Sequence, residues 1–151
     1  MIIGVISDTH GLLRPEAVEA LRGSELILHA GDIGKPEILR ELTVLAPTVA
    51  VRGNNDVGDW AENLPDIETL PVGEHRIHLL HDLKALSIDP VAEGVAVVIS
   101  GHSHKPSIET RNGVLYLNPG SAGPRRFKLP VSVARLRRRK AGFEAELLKL
   151  T

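Results

Sequence analysis

The chain has no cysteine, and its 151 residues include one tryptophan, one tyrosine, two phenylalanines and one methionine. Without cysteine there are no disulfides and no thiolate ligands, so a bound metal would be held by oxygen and nitrogen alone. With aromatic residues at 3%, a stacking platform for single-stranded nucleic acid is poorly supported. No apolar run approaches the length of a membrane span. The first such run is interrupted by Asp8 and has no basic segment ahead of it, so neither a signal peptide nor a membrane span is expected and the expected location is cytoplasmic. Internal repeats, low-complexity segments and linkers are also missing.

Apolar residues at 42% and charged residues at 25% point to a single α/β domain over residues 1–151, large enough to bury a proper core. The net charge of −1 hides an asymmetry. Arg125, Arg126, Lys128, Arg135, Arg137, Arg138, Arg139 and Lys140 form a block without acids, while the rest of the chain has 10 bases against 19 acids. Such blocks usually sit on solvated hairpin edges, where they oppose strand-to-strand aggregation. Attraction to phosphate or nucleic acid is the alternative, with Phe127 the one aromatic inside the block.

The first half alternates strand and helix. Ile2 to Ser7 reads as a buried strand; Pro15 suits a first helical turn, and Val18 and Leu21 give an apolar stripe that ends before Gly23. Glu25 to His29 reads as a second strand. Pro36 opens a helix with Ile38, Leu39, Leu42 and Leu45 at helical spacing, and Thr48 to Val51 reads as a third strand. Two right-handed βαβ crossovers follow, which places Asp8, Asp32 and Asn54 at the ends of three parallel strands on one edge. The second half carries hairpin signals at Val72-Gly73, Asn112-Gly113 and Ala141-Gly142. They predict Ile67 to Val72 paired with Arg76 to His81, Ser107 to Thr110 with Val114 to Leu117, and Val131 to Arg137 with Phe143 to Leu148. Val95 to Ser100 is a further buried run, preceded by a short helical piece near Pro90. A second sheet is implied, and the predicted fold is a four-layer αββα sandwich of two mixed sheets whose loops meet at one end.

Chemistry-bearing residues recur at the predicted strand ends: Asp8-Thr9-His10, Gly31-Asp32, Gly53-Asn54-Asn55-Asp56, His81 and Gly101-His102-Ser103-His104. In an α/β fold those ends converge on one crevice, so the series reads as a dispersed metal site. Asp8 and His10, two residues apart on one loop, can reach a single ion. Asp32 has two oxygens and can bridge cations held roughly 3.5–4 Å apart. His102 and His104 share a side if their segment is extended, and can serve different ions if it is a loop. Two divalent cations against two carboxylates leave a positive centre that attracts anions. A bridging hydroxide and a phosphate ester would neutralise it, with water acidified to a pKa of about 7, and no side-chain nucleophile is required. The mixed nitrogen and oxygen donors favour manganese, iron, cobalt, nickel or zinc over calcium or magnesium.

This order of motifs, followed by Asn118-Pro119-Gly120-Ser121, resembles the calcineurin-like metallophosphoesterases, and within them the small single-domain YfcE-like phosphodiesterases. The likeness spans nearly the whole chain. It implies a dinuclear metal-dependent phosphodiesterase or phosphatase acting on a small phosphate ester, with manganese the expected ion and nickel, iron, cobalt or zinc as alternatives. It also implies that one ion takes Asp8, His10, Asp32 and His104, that the other takes Asp32, Asn54, His81 and His102, and that Asn54, Asp56 and His81 are among the catalytic groups. Two positions depart from the family. Asn55 stands where larger members carry a histidine thought to protonate the leaving group, and asparagine cannot be that acid. Asp82 stands where many relatives have glycine, as a hydrogen-bond acceptor behind the ligands or as an added negative charge.

Competing readings are a metal-free scaffold similar to the retromer subunit Vps29 and a nuclease using the basic 125–140 segment. Assembly into a homo-oligomer stays open. His29, His75 and His78 lie outside the motifs, and a hydrogen-bonded core role is expected for His29, with support of Asp32 as the alternative. Gly31, Gly53 and Gly101 are expected to allow sharp turns. Trp60 would either wall the substrate pocket or pack on the sheet end. Arg125 and Arg126 would reach phosphate if their loop folds over the site, and are otherwise solvated.

Overall fold

The computed structural model describes residues 1–150. In chain order its elements are β1 (Ile2–Ile6), α1 (Pro15–Leu21), β2 (Leu26–His29), α2 (Pro36–Leu45), β3 (Thr48–Ala50), α3 (Asp59–Glu62), β4 (Ile67–Val72), β5 (His75–Leu80), a 3₁₀ turn (Leu83–Ala85), β6 (Val95–Ile99), β7 (Ser107–Arg111), β8 (Val114–Asn118), β9 (Ser132–Arg139) and β10 (Gly142–Lys149). Pro15 and Pro36 open α1 and α2, where a missing N–H costs no hydrogen bond. Among the described residues no helix is long and apolar enough to cross a membrane.

The strands form two mixed sheets, ordered β10-β9-β1-β2-β3 and β4-β5-β6-β8-β7. β1, β2 and β3 run parallel in the first, as do β5, β6 and β8 in the second. Their facing sides bury one core, in which Ile3, Val5 and Leu28 meet Ile77, Leu79, Val97 and Ile99. A second cluster seats α1 and α2 on the outer face of the first sheet through Leu21, Ile38 and Leu42. The expected sandwich is therefore present, with two differences of detail.

The last hairpin does not extend the second sheet; β9 lies antiparallel to β1 in the first. Val133, Ala134 and Leu136 explain this, since they are buried on both sides of the strand and fit an inner position rather than an edge. The outer layer on the second sheet is also thinner than expected. Its cover over Leu80, Val95, Val98 and Val114 is the 3₁₀ turn and loop carrying Leu83, Leu86 and Ile88. The helical piece expected near Pro90 is a single turn: Asp89 caps it, its Oδ1 accepting from the N–H groups of Val91 and Ala92 at 3.1 and 3.5 Å and its carbonyl from that of Glu93 at 3.0 Å, and Gly94, with φ at 69°, ends it.

The β9–β10 hairpin also accounts for part of the basic block. Arg135 and Arg139 pair with Glu146 and Glu144 of β10 at 2.9 and 3.1 Å. Cross-strand pairs of this kind fit the solvated-hairpin reading better than a surface reserved for nucleic acid.

An ionisable side chain is sealed within the first sheet. His29 on β2 has no solvent exposure, and Thr9 Oγ1 donates to the Ile33 carbonyl at 2.8 Å. Thr9 therefore accepts from His29 Nε2–H at 3.0 Å, while His29 Nδ1 accepts from the Gly31 N–H at 3.0 Å. Burial, reinforced by the nearby His81 and His10, pushes the His29 pKa down to about 3. An imidazole neutral in the fold but protonated when unfolded stabilises fully above pH 6.5, and that contribution is lost as pH falls toward 3. Replacing His29 with leucine should cost about 1–3 kcal/mol at pH 7 by leaving the Gly31 N–H unpaired. Urea unfolding of chelator-treated protein at pH 7 and pH 5 measures the rest: wild type should lose about 1–2 kcal/mol more than His29→Leu over that interval. Equal losses would show that His29 is not held neutral.

Candidate metal centre

Past the strand ends the chain keeps pairing. The backbone N–H groups of Asp8, His10 and Gly11 donate to the carbonyls of Gly31, Asp32 and Ile33 at 3.0, 2.9 and 2.8 Å, so the two motif loops continue the pairing of β1 with β2. Gly101 N–H donates to the His81 carbonyl at 2.9 Å, joining the loops that follow β5 and β6. The Asn118–Ser121 turn clamps both sets. Ser121 Oγ donates to the Asp8 carbonyl at 3.0 Å, and Asn118 Nδ2 donates to the Gly101 carbonyl and Ser103 Oγ at 3.0 and 3.1 Å.

The backbone in these loops is bent against its preference. Among the described residues seven other than glycine have positive φ, and five of them are Asp8, His10, Asp32, His102 and His104. Left-handed backbone is uncommon for residues with a Cβ and persists where surrounding structure enforces it. Of the three glycines expected at sharp turns, only Gly31 has a positive φ, at 101°. Gly53 and Gly101 provide room instead: a Cβ on Gly53 would run into Asp32, and one on Gly101 into Ser7 and Asp8.

Asp8, His10, Asp32, His81, His102 and His104 converge. Asp8 is fully buried. Its Oδ2 accepts from Ser7 Oγ at 2.7 Å and from the His102 N–H at 3.1 Å, whereas its Oδ1 has no hydrogen-bond partner. That oxygen faces Nε2 of His104 at 3.3 Å, of His10 at 3.7 Å and of His81 at 4.0 Å. Asp32 Oδ2 lies 3.3 Å from His81 Nε2 and 3.7 Å from His10 Nε2. Two sets of donor atoms are close enough to share an ion: Asp8 with His10 and His104, and Asp8 with Asp32 and His81. An orphaned buried carboxylate oxygen among imidazole nitrogens fits a cation, and the nitrogen and oxygen donors suit a first-row divalent metal.

Burial alone would raise the Asp32 carboxyl, but hydrogen bonds from His81 and the Asn55 N–H, with the nearby His81 and His10, hold it well below the usual range. Burial opposes protonation of His81, yet its bond to Asp32, the Ala30 carbonyl and both carboxylates outweigh this and raise its pKa. His81 Nδ1 lies 2.8 Å from the Ala30 carbonyl; donation there leaves Nε2 as the nitrogen facing the acids. His104 is lowered, chiefly by burial, with Arg126 and His10 adding to the effect.

The remaining candidates lie around this group. Asn54 is exposed and lines a cavity with His81 and Asp82. Asp56 is buried, and its two oxygens accept the N–H groups of Gly34 and Gly53 at 2.9 and 2.8 Å, so it ties two loops together. Asn55 binds Asp32 twice, through its N–H at 2.9 Å and Nδ2 at 3.1 Å. Asp82 Oδ2 is 3.8 Å from His102 Nε2, while His102 Nδ1 is 3.3 Å from His81 Nε2. Trp60 packs on the helix-side core rather than standing free. Sequence reasoning missed Ser7 as the support of Asp8; its only signal is a hydroxyl at a buried strand end beside a carboxylate. It also missed the contact of Asn55 with Asp32, which nothing in the local sequence marks.

Comparison with known proteins identifies the family. Residues 1–140 match the model of the calcineurin-like phosphoesterase superfamily domain. A probable metallophosphoesterase from Methanothermobacter thermautotrophicus is 40% identical over 161 residues, covering 99% of this chain and 92% of that protein. A solved structure of an archaeal phosphodiesterase superposes with a TM-score of 0.80 at 25% identity, covering 98% of this chain and all of the other. The zinc complex of Vps29 from Entamoeba histolytica shares the fold with a TM-score of 0.75 at 24% identity, each chain covered in full. With the motif loops, the fold and these relatives in agreement, the chain belongs to the calcineurin-like phosphoesterase superfamily.

Proposed function

We propose that this chain is a dinuclear metal-dependent phosphodiesterase. Family membership supports the coarser statement, a metal-dependent hydrolase of phosphoesters, and the archaeal phosphodiesterase of the same fold supports the diester preference. The observation that carries the reading is the orphaned Asp8 Oδ1, fully buried and facing three imidazoles. By the motif assignment, Asp8, His10, Asp32 and His104 would hold one cation and Asp32, Asn54, His81 and His102 the other, with manganese the expected ion. Asp32 faces imidazoles of both sets, in keeping with a bridging role. When bound, such cations stabilise charge on phosphoryl oxygens and acidify water.

The chain's own groups orient and exclude. The Ala30 carbonyl fixes the ring of His81, and Asn55 braces Asp32. Asp56 acts by positioning, since both of its oxygens are engaged by backbone N–H groups. Neither Asn55 nor Asp56 is placed to give a proton to the leaving group. The retained carboxylates and histidines favour catalysis over the scaffold role that likeness to Vps29 suggests.

Three outcomes follow. After chelator treatment, hydrolysis of bis-p-nitrophenyl phosphate should depend on added manganese, and Asp8→Asn or His104→Ala should lower kcat/KM at least about a hundredfold; metal-independent or mutation-indifferent turnover would overturn the mechanism. Across a series of diesters, rates should fall steeply as the leaving group's pKa rises, because Asn55 cannot protonate it; comparable rates on aryl and alkyl esters would show that another side chain acts as the acid. Asp82→Ala should weaken manganese binding about 10–100-fold in calorimetric titration, by removing the carboxylate behind His102; unchanged affinity would make Asp82 only a surface charge.

A further inference from the structure

Beside His102, on the side away from His81, lies a cavity of about 400 Å³. It runs over the outer face of the second sheet, between Leu83 and Lys84 of the 3₁₀ turn and the strands β7 and β8, and closes against His102 and Ser103. Its volume is in the range of small-molecule sites. It shares His102 with the metal centre, and that side chain is 46% exposed, so a group bonded to a phosphorus held at the centre can enter the cavity past it.

The charge of the cavity differs from that of the centre. Lys84 and Arg111 face Asp82 and Glu109, a balance of two cations and two anions. Arg111 already donates to Glu109 at 2.9 Å and lies over the Tyr116 ring, 4.8 Å from its centroid. A second phosphate finds no surplus of positive charge here, so the matching group is neutral. The guanidinium over Tyr116 is a planar group that can itself stack on a flat ring. Hydrogen bonding is divided: Ser103 Oγ accepts from Asn118 Nδ2 and the Lys105 N–H at 3.1 and 3.2 Å, which leaves its own proton to donate, while Glu109 can only accept.

We propose that this cavity is the subsite for the second ester group of the diester, and that the group it takes is neutral, flat and hydroxylated, the chemistry of a nucleoside. The proposal rests on the diesterase reading and refines it: a monoester leaves the cavity empty, and a diester fills it.

Two manganese-supported substrates with the same leaving group separate the two claims, methyl p-nitrophenyl phosphate and the p-nitrophenyl ester of thymidine 5′-phosphate. Hydrolysis of the methyl ester tests the diesterase reading alone. The subsite requires the thymidine ester to have at least about tenfold higher kcat/KM, mostly through KM, and Arg111→Ala and Ser107→Phe to bring the ratio of the two substrates toward one. Equal kcat/KM values in wild type, or a ratio unmoved by both variants, would overturn the subsite while leaving the diesterase reading intact. If neither ester is cleaved, calorimetry with thymidine decides: binding by the wild type that is lost in both variants supports the subsite, and no binding, or binding unaffected by them, refutes it.

Discussion

Two carboxylates held at the ends of adjacent parallel strands, their oxygens turned toward imidazole nitrogens, set the terms for the rest of this molecule. Asp8 is fully buried and Asp32 nearly so, and buried charge is unfavourable unless it is paired or ligated. Asp8 receives two hydrogen bonds on one oxygen and none on the other. In the protein alone His81 meets part of this demand, its affinity for a proton raised by the acids it faces despite burial. A proton on His81 and a cation in the crevice answer the same negative field, so occupancy by metal and protonation of His81 oppose one another.

Holding the acids in place takes backbone that would otherwise relax. Positive φ at Asp8, His10, Asp32, His102 and His104 carries strain of order 1 kcal/mol or more at each position. Hydrogen bonds that run on past β1 and β2, the Asn118–Ser121 clamp and the Asp56 tie between Gly34 and Gly53 offset it. Gly53 and Gly101 let neighbouring loops approach more closely than any side chain would allow. The rigidity therefore comes from many ordinary contacts and not from one strong one.

Motif order made the candidate ligands legible, because Asp8, Asp32 and His81 each follow an apolar run long enough to be a buried strand, and parallel strands put such residues on one edge. Helical spacing located α2, and the turn dipeptides located every hairpin. What the sequence hid was tertiary. The partner of β9 depends on burial on both faces, which its hairpin signal does not report. The helical piece expected near Pro90 is confined to one turn by Gly94, whose positive φ ends it, and nothing in the apolar spacing reports that length. Gly53 and Gly101 looked like turn residues because closeness to Asp32, Ser7 and Asp8 is a property of the packed loops. Asp56 sits within a motif of functional residues, yet its contacts are with backbone, and only the folded loops separate those roles.

Asn55 links the centre's construction to its selectivity. Where larger relatives resembling this chain carry a histidine, its amide instead donates to Asp32, so the position braces a carboxylate and supplies no acid. A centre without that acid depends on how well the departing oxygen bears negative charge. A phosphodiester also carries one negative charge fewer than a dianionic monoester, together with a second, neutral ester group. On the proposed reading, the positive charge of a two-cation centre bounded by two carboxylates and the balanced charge beside His102 would match those two parts separately. Diester selectivity on this account comes from adjoining surfaces of different charge, one for the phosphoryl oxygens and one for what the phosphorus carries.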